Sequence, residues 1–213
     1  MTTVITGASR GIGAALAAQL TARGEAVIGT GRSAAAQVSL DVTRPADFSN
    51  LTDALGGAPV ELLVCNAGVY LDKAETLETG YGADMWAQAY AANVTGVFLT
   101  VQSLLPNLRA ARGKVAIISS QMGSSTRAKG TSIIYRTSKA AVLNLGFNLA
   151  EALKSDGVAV GIYHPGWVRT DMGGDAADIG TEESASGLIA RFDALSLEST
   201  GCFETWDGRA HPL

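Results

Sequence analysis

The sequence predicts an α/β fold, in which helices cover both faces of a doubly wound parallel sheet. Short apolar, β-branched segments alternate along the chain with longer segments in which apolar residues recur at three- and four-residue steps. The first strand-like segment runs into a glycine-rich turn at residues 7–13, and a helix-like segment follows at once. The chain of 213 residues is long enough to bury one core and shows no domain boundary, so we expect a single domain over residues 1–213.

The individual elements follow from this alternation. The predicted strands span residues 2–6, 26–30, 37–40, 60–64, 114–120, 158–163 and 201–205. Several of them are nearly continuous apolar runs, which are typical of strands buried on both faces. The predicted helices span residues 14–22, 45–55, about 83–105 and 135–153, and a last helix begins at residue 181. Pro45 lies in the first turn of its helix, where a missing N–H costs little.

Composition narrows the functional classes. Apolar residues make up 47% of the chain and charged residues 17%, as in a globular protein. The net charge is −4 and no block of like charges occurs, so we expect neither a nucleic-acid surface nor a membrane-binding patch. We expect a cytoplasmic protein, because no signal-like segment precedes the first strand and no apolar run reaches about 18 residues. The two cysteines lie far apart, and no zinc-ligand spacing occurs.

The glycine-rich turn predicts an anion site. A strand, a turn without bulky side chains and a helix N-terminus together present free N–H groups and a positive helix end to a pyrophosphate. The glycines also let the backbone approach such a group closely. A tight turn with no ligand is the alternative for an isolated glycine motif, but the strand before it and the helix after it favour the anion site.

Tyr135 and Lys139 are four residues apart in a predicted helix, which places both on one face with Cβ atoms about 5–6 Å apart. An ammonium held beside a phenol favours the phenolate and lowers the tyrosine pKa from its ordinary value of about 10. Such a pair can act as an acid–base group near neutral pH. Alone, this spacing is better explained by a surface contact without function. The motifs that accompany it favour the acid–base pair.

Two motifs together, Thr6-Gly7-x-x-x-Gly11-x-Gly13 and Tyr135-x-x-x-Lys139, resemble those of the short-chain dehydrogenase/reductase family. The similarity covers the whole chain. It is strongest to the shorter C-factor-like and sniffer-like carbonyl reductases, which also carry Gly-Ser and Tyr-Arg-x-Ser-Lys in this region. The resemblance implies a Rossmann-type sheet of about seven strands in the order 3-2-1-4-5-6-7.

Two arginines bear on the choice of cofactor. A dinucleotide site that selects NAD usually places Asp or Glu about 20 residues past the glycines, to bind the ribose 2′-hydroxyl. Here Arg32 and Ser33 follow the second strand, and Arg10 lies inside the glycine-rich turn. Two guanidiniums and a hydroxyl suit a 2′-phosphate, so the sequence favours NADP(H). A solvated Arg10, with an Arg32 that merely follows a strand, would leave NAD(H) open.

The resemblance assigns the other cofactor contacts residue by residue. Asp41 and Val42 match an adenine-contacting pair, although a turn aspartate is the alternative for Asp41. Cys65 stands where the family has Asn, ahead of Asn-Ala-Gly, and residues 165–170 match a segment that holds the nicotinamide carboxamide. The implied cofactor-binding residues are Gly7, Ser9, Arg10, Gly11, Ile12, Gly13, Arg32, Ser33, Asp41, Val42, Asn66, Ala67, Gly68, Tyr135, Lys139, Pro165, Gly166, Val168 and Thr170.

The catalytic residues implied by the resemblance are Ser120, Tyr135, Lys139 and Asn93, with no metal. Tyr135 is expected to donate a proton to a carbonyl oxygen as hydride arrives from the nicotinamide, and Ser120 to hydrogen-bond that oxygen. Lys139 is expected to lower the tyrosine pKa and to hold the ribose. Asn93 is expected to link the lysine to solvent through a water, with a capping or kinking role as the alternative. A short substrate lid is expected at about residues 171–180.

These assignments imply an NADP(H)-dependent carbonyl reductase or alcohol dehydrogenase that acts on a small carbonyl or alcohol substrate. Family members often form homodimers or homotetramers through the helices that contain Asn93 and Tyr135, and some are monomers. A second hypothesis is a cofactor-binding regulatory or signalling protein whose catalysis is incidental. Turnover of carbonyl substrates with NADPH separates the two.

Overall fold

The computed structural model describes residues 1–33, 36–78 and 80–213. Within these residues lies one sheet of seven strands in the order β3-β2-β1-β4-β5-β6-β7, and each adjacent pair is parallel. The strands are β1 (Thr2–Ile5), β2 (Ala26–Gly31), β3 (Val38–Ser39), β4 (Leu62–Cys65), β5 (Lys114–Ile118), β6 (Ala159–His164) and β7 (Cys202–Thr205). The expected fold class and strand order are confirmed.

Helices cover both faces of the sheet. They are α1 (Gly11–Ala22), α2 (Phe48–Leu55), α3 (Ala83–Tyr90), α4 (Gly96–Ser103), α5 (Leu105–Ala111), α6 (Ile133–Leu153) and α7 (Thr181–Ala194). Not one helix in the described parts of the chain combines the length and the apolar character that a bilayer crossing needs.

Alternate residues of the central strands enter two separate apolar layers. Val4 and Leu63 pack in the layer that holds α2, α4 and α6, whereas Ile5 and Leu62 pack in the layer that holds α1 and α7. This arrangement explains the continuous apolar runs of β1 and β4, because both faces of each strand are buried.

The single helix expected at about residues 83–105 is wrong in detail. The structure has α3, then a π-helical turn at Ala91–Thr95, then α4, and α5 follows with Pro106 in its first turn. Gly96 begins α4 in close contact with Val42, since a Cβ at Gly96 would lie 2.9 Å from the Val42 side chain. The π turn places Asn93 in the buried interior, and such turns often occur at functional sites.

The connection between β2 and β3 is short. Only residues 32–37 separate the two strands, whereas a parallel pair is usually joined by a crossover of a dozen or more residues that contains a helix. Beside this connection a cavity of about 320 Å³ is lined by Ala17, Ala18 and Thr21 of α1 and by residues of β2. Arg32 therefore follows β2 at the carboxyl edge of the sheet, with no intervening helix before β3 in the described part of the connection.

We expect Gly146→Val to destabilise the fold, because α6 crosses β6 in close contact at Gly146. A Cβ at this position would lie 2.4 Å from Ile162 Cγ1, inside a buried layer. Overpacking of this kind typically costs about 1–3 kcal/mol, which lowers the melting temperature of a domain of this size by at least about 2 °C. Thermal unfolding followed by circular dichroism measures the change.

The matched control is Gly130→Val, because Gly130 has no positive φ and a Cβ there would have no neighbour within 4 Å. An unchanged melting temperature for Gly146→Val would contradict the close helix–strand contact.

Candidate active site

Several residues predicted for the site follow the carboxyl ends of the strands, and so they lie at one edge of the sheet. The glycine-rich turn follows β1, Asn66 follows β4, Ser119 and Ser120 follow β5, and Pro165 follows β6. In open parallel sheets this edge is where ligands bind, beside the point at which the strand order reverses. Here that point lies between β1 and β4.

The glycine-rich turn forms a compact cradle of backbone. A Cβ at Gly13 would lie 2.2 Å from the carbonyl oxygen of Gly7, so only glycine fits there. Asn66 Nδ2 donates to the carbonyl oxygens of Thr6 and Gly7, each at 3.0 Å, which ties the end of β4 to the turn. Gly11 has a φ of +58° and begins α1. The cradle has the shape and the free helix N-terminus that a pyrophosphate needs.

Other residues predicted for this part of the site lie around the cradle. Ser9 is exposed near Gly31, and Ile12 is half-buried against the layer that holds α1 and α7. Ala67 contacts Gly7, since a Cβ at Gly7 would lie 3.0 Å from Ala67 Cα. These contacts join the first and fourth strands directly behind the turn.

The two predicted arginines lie in different surroundings. Arg10 forms an exposed ion pair with Asp171, at the start of the expected lid. Arg32 is exposed, as is its neighbour Ser33, and its charge acts on Asp41. Burial favours a higher pKa for the Asp41 carboxyl, but hydrogen bonds from Thr43 and the nearby charges of arginines outweigh it, and the pKa is lowered.

Asp41 Oδ1 accepts the backbone N–H of Thr43 at 3.0 Å and the Thr43 hydroxyl at 2.7 Å. Asp41 therefore builds a local turn, as the alternative interpretation expected. Val42 is buried and packs against Gly96.

Ser120, Tyr135 and Lys139 converge at the end of β5 and the first turns of α6, and all three are buried. Lys139 Nζ lies 5.7 Å from the centroid of the Tyr135 ring and donates to the carbonyl oxygen of Ile118 at 2.9 Å. Ser120 Oγ accepts the backbone N–H of Met122 at 3.1 Å and is hydrogen-bonded to the Tyr135 phenol. The three residues that were expected to be catalytic therefore lie together in the structure.

The expected lowering of the Tyr135 pKa is wrong. Burial raises the pKa of Tyr135 to about 12, the nearby Tyr70 and Asp72 add to the rise, and the hydrogen bond with Ser120 opposes it. Burial also lowers the pKa of Lys139 to about 8. Removal of water from both groups outweighs the attraction between ammonium and phenolate on which the expectation rested.

Asn93 is buried beside this cluster and its side chain is fully occupied by protein partners. Oδ1 accepts the N–H of Val69 at 2.8 Å, and Nδ2 donates to the Val69 carbonyl at 2.9 Å and to Ser138 Oγ at 3.0 Å. A Cβ at Gly68 would lie 3.0 Å from Asn93 Oδ1 and 3.6 Å from Lys139 Nζ, so Gly68 separates the two. The expected water link between Asn93 and Lys139 stays a prediction.

The segment after β6 approaches the glycine-rich turn. Ser184 donates to the Pro165 carbonyl oxygen at 2.6 Å, and Gly166 adopts a φ of +89° against Trp206. Val168 is buried and forms a bridge to Ile179. Thr170 faces the glycine-rich turn, because its Cγ2 would lie 3.4 Å from a Cβ at Gly11.

The expected lid at residues 171–180 is anchored by hydrogen bonds. The guanidinium of Arg169 donates to the carbonyl oxygens of Ala177 and Asp178, and Trp167 Nε1 donates to that of Gly173 at 2.9 Å. The Gly173 N–H is donated to Thr170 Oγ1 at 3.0 Å. The segment is therefore a set of turns fastened to the strand-end loop that carries Thr170.

Two residues of the cluster were missed by sequence reasoning. Tyr70 stacks on Tyr135 with ring centroids 4.2 Å apart and an interplanar angle of 20°. Asp72 is 1% exposed and accepts the backbone N–H groups of Ile134 and Tyr135. Both lie in or beside a polar stretch, residues 71–81, that was expected to form a loop, and Thr79 of that stretch lies outside the described residues. No local spacing indicates either contact.

Comparisons with known proteins agree with this geometry. Residues 1–179 match the family model described as short chain dehydrogenase. The chain is 35% identical over 156 residues to C-signal of Myxococcus xanthus, covering 72% of this chain and 93% of that protein. It is 33% identical to 1-hydroxy-2-glutathionyl-2-methyl-3-butene dehydrogenase of Rhodococcus sp. (strain AD45), covering 97% of each. The NADPH-bound carbonyl reductase from chicken fatty liver has a TM-score of 0.90 at 27% identity, covering 100% of this chain and 98% of that chain.

We expect Lys139→Met to change the pH dependence of stability. In the folded chain the buried amine releases its proton near pH 8, whereas the unfolded value is 10.5. Between those values the unfolded chain holds more protons, so this group's contribution to the free energy of unfolding rises with pH. The melting temperature of the variant minus that of the wild type should therefore be larger at about pH 7 than at about pH 10, as measured by calorimetry.

Lys154→Met is the control, because Lys154 is exposed beyond the end of α6. If the melting temperatures of both variants change with pH as that of the wild type does, Lys139 does not titrate as a buried amine.

Proposed function

This chain belongs to the short-chain dehydrogenase family, and we propose that it is an NADP(H)-dependent carbonyl reductase or alcohol dehydrogenase. One observation carries the proposal. The buried Ser120, Tyr135 and Lys139 meet at the carboxyl edge of the sheet, on the edge where the glycine cradle also lies. An acid, a hydrogen-bond donor and a cation on the same edge as a glycine-rich turn support this proposal.

The described residues fit a dinucleotide. Gly11 has no side chain at the point where the turn approaches Thr170. A Cβ at Gly13 would occupy the space inside the turn. Arg10 and Arg32 offer guanidiniums on the adenosine side, and this supports a 2′-phosphate. The NADPH in the chicken carbonyl reductase supports the same choice. When bound, the dinucleotide supplies hydride from its nicotinamide.

The chain's own groups manage the proton. With a pKa raised to about 12, Tyr135 is a neutral phenol at neutral pH and therefore begins carbonyl reduction in the acid form. Ser120 accepts the Met122 N–H, and its hydroxyl can rotate so that the proton that faces the Tyr135 phenol turns to a substrate oxygen beside it. Below pH 8 Lys139 is a cation, and it stabilises the phenolate that remains after the proton has left.

A second candidate is a cofactor-binding signalling protein, and the similarity to C-signal favours it. Such a protein would bind NADPH with no need for a buried acid, hydroxyl and amine in contact. Incubation with NADPH and a panel of aldehydes, ketones and quinones separates the candidates, because only the reductase consumes NADPH at a rate that depends on the carbonyl.

We expect Tyr135→Phe to lower carbonyl reduction by about 10²–10⁴-fold, since the change removes the acid and keeps the ring. The affinity for NADPH should change little, and the two are separated by steady-state kinetics and by fluorescence titration of NADPH. Tyr90→Phe in α3 is the matched control, because Tyr90 lies outside this cluster and its ring packs near Trp86. Retention of more than half of the wild-type turnover by Tyr135→Phe, in an assay limited by chemistry, would place the acid elsewhere.

We expect NADPH to bind at least about tenfold more tightly than NADH, which corresponds to about 1.4 kcal/mol. Arg32→Asp should erase or reverse this preference, because a carboxylate repels the 2′-phosphate and binds the ribose hydroxyls. Isothermal titration with both nucleotides measures the ratio. Arg112→Asp, at the opposite end of β5, controls for the change in net charge. Equal affinities of the wild type for both nucleotides would refute the proposed preference.

A further inference from the structure

Helix α6 begins at Ile133, two residues before Tyr135, and its first backbone N–H groups lack a local cap. Its N-cap residue, Ser132, has a φ of +55° and makes no side-chain capping hydrogen bond, and the first turn contains no acidic residue. The first N–H groups of a helix have no partner within the helix and need an acceptor from elsewhere. The acceptor is Asp72, which lies 62 and 63 residues away in sequence.

Asp72 is buried and caps the N-terminus of α6 from a distant part of the same chain. Its carboxylate accepts the Ile134 N–H at 2.7 Å and the Tyr135 N–H at 3.2 Å, and the side chain is almost completely enclosed. A carboxylate at a helix N-terminus is favoured by the helix dipole and by charge-assisted hydrogen bonds. The position of the Tyr135 backbone thus depends directly on Asp72.

Tyr70 restrains the ring of Tyr135, whose backbone is held by Asp72. Its ring lies nearly parallel to the Tyr135 ring, and its hydroxyl shares a hydrogen bond of 2.5 Å with Ser132 Oγ. One face of the Tyr135 ring is therefore covered, which limits rotation of the phenol away from Ser120. Backbone and ring of Tyr135 are held by two residues of one short segment.

That segment, residues 69–72, is itself anchored in the interior. Asn93 holds both the N–H and the carbonyl oxygen of Val69 and also donates to Ser138, one turn beyond Tyr135 on α6. The segment and the first turns of α6 therefore form one rigid unit, because its contacts at Val69, Tyr70 and Asp72 are all buried or half-buried.

Among the described residues, the groups that face the Tyr135 phenol come from three parts of the chain. Tyr70 and Asp72 face it from the segment after β4, Lys139 faces it from its own helix, and Ser120 from the end of β5 is neutral. Burial is the main cause of the raised pKa, and Tyr70 and Asp72 raise it further. Loss of the Asp72 charge should therefore lower the pKa of the phenol.

We propose, on the basis of the function proposed above, that Asp72 and Tyr70 are positioning residues that hold Tyr135 in place for proton transfer. Asp72 holds the backbone and supplies a negative charge, and Tyr70 fixes the plane of the ring. The two residues act through Tyr135 and need not touch the substrate. This gives the segment after β4 a role in the proton transfer itself.

Asp72→Asn tests the charge, because the side chain keeps its shape and one oxygen acceptor. In the pH profile of alcohol oxidation, where the phenolate is the base, the apparent pKa should move down by at least about half a unit. Asp84→Asn is the control, since Asp84 lies in the first turn of α3 and is exposed. A pH profile of Asp72→Asn that superposes on that of the wild type overturns the proposal.

Tyr70→Leu tests the ring and covers the case in which Asp72→Asn does not fold. The kcat of carbonyl reduction should fall about 10–100-fold, because small misplacements of a catalytic group cost that much, while the affinity for NADPH stays unchanged. Tyr70→Phe keeps the ring and loses only the bond to Ser132, so it should recover most of the loss. A wild-type kcat for Tyr70→Leu overturns the proposal.

The structural half of the proposal has a readout that needs no turnover. In Asp72→Ala, hydrogen exchange of the Ile134 and Tyr135 amides should accelerate, while that of Leu149 deep in α6 should not. If the wild type turns over no carbonyl but this change is seen, the proposed function fails and the contact stands. Unchanged exchange at both amides overturns the positioning by Asp72 whatever the activity.

Discussion

Burial of the Lys139 amine is the constraint around which the site is arranged. Burying a charged amine costs free energy unless polar groups form hydrogen bonds with it. Here the buried amine donates a hydrogen bond to the carbonyl oxygen of Ile118 at the end of β5. Ser119 bonds the Lys139 carbonyl, which fixes the helix against the same strand. Glycines provide the room, since a Cβ at Gly123 would lie 2.6 Å from the Lys139 backbone and one at Gly68 would approach Nζ.

The same burial explains why two neighbouring groups shift in opposite directions. Loss of water disfavours each charged form, so the phenol of Tyr135 holds its proton more firmly and the amine of Lys139 holds its proton less firmly. At neutral pH the site therefore contains a neutral phenol and a cationic amine, which is the charge state that the proposed carbonyl reduction needs at its start. A positive charge brought close to the phenol would stabilise the phenolate and lower the tyrosine pKa again.

The parts of this molecule that could be predicted from sequence are those governed by local rules. Strand runs, the glycine-rich turn and the spacing of Tyr135 and Lys139 depend on residues near one another, and the structure has them where they were expected. The cap from Asp72 joins residues 62 and 63 positions apart, so no local pattern contains it. The π turn at Asn93 and the direction of the Tyr135 shift depend on packing, which a list of residues does not specify.

The ion pair between Arg10 and Asp171 joins the glycine-rich turn to the segment at residues 171–180 and is weak enough for Arg10 to exchange Asp171 for another anion. Its two side chains are 71% and 78% exposed, and exposed pairs of this kind contribute about 0–1 kcal/mol at most. A phosphate, like a carboxylate, can accept two parallel hydrogen bonds from a guanidinium. Exchange of one anion for the other would release Asp171 and with it a contact between the glycine-rich turn and the segment at residues 171–180. The hydrogen bonds of Arg169 and Trp167 do not involve Arg10 or Asp171, so they would hold that segment in place after such an exchange.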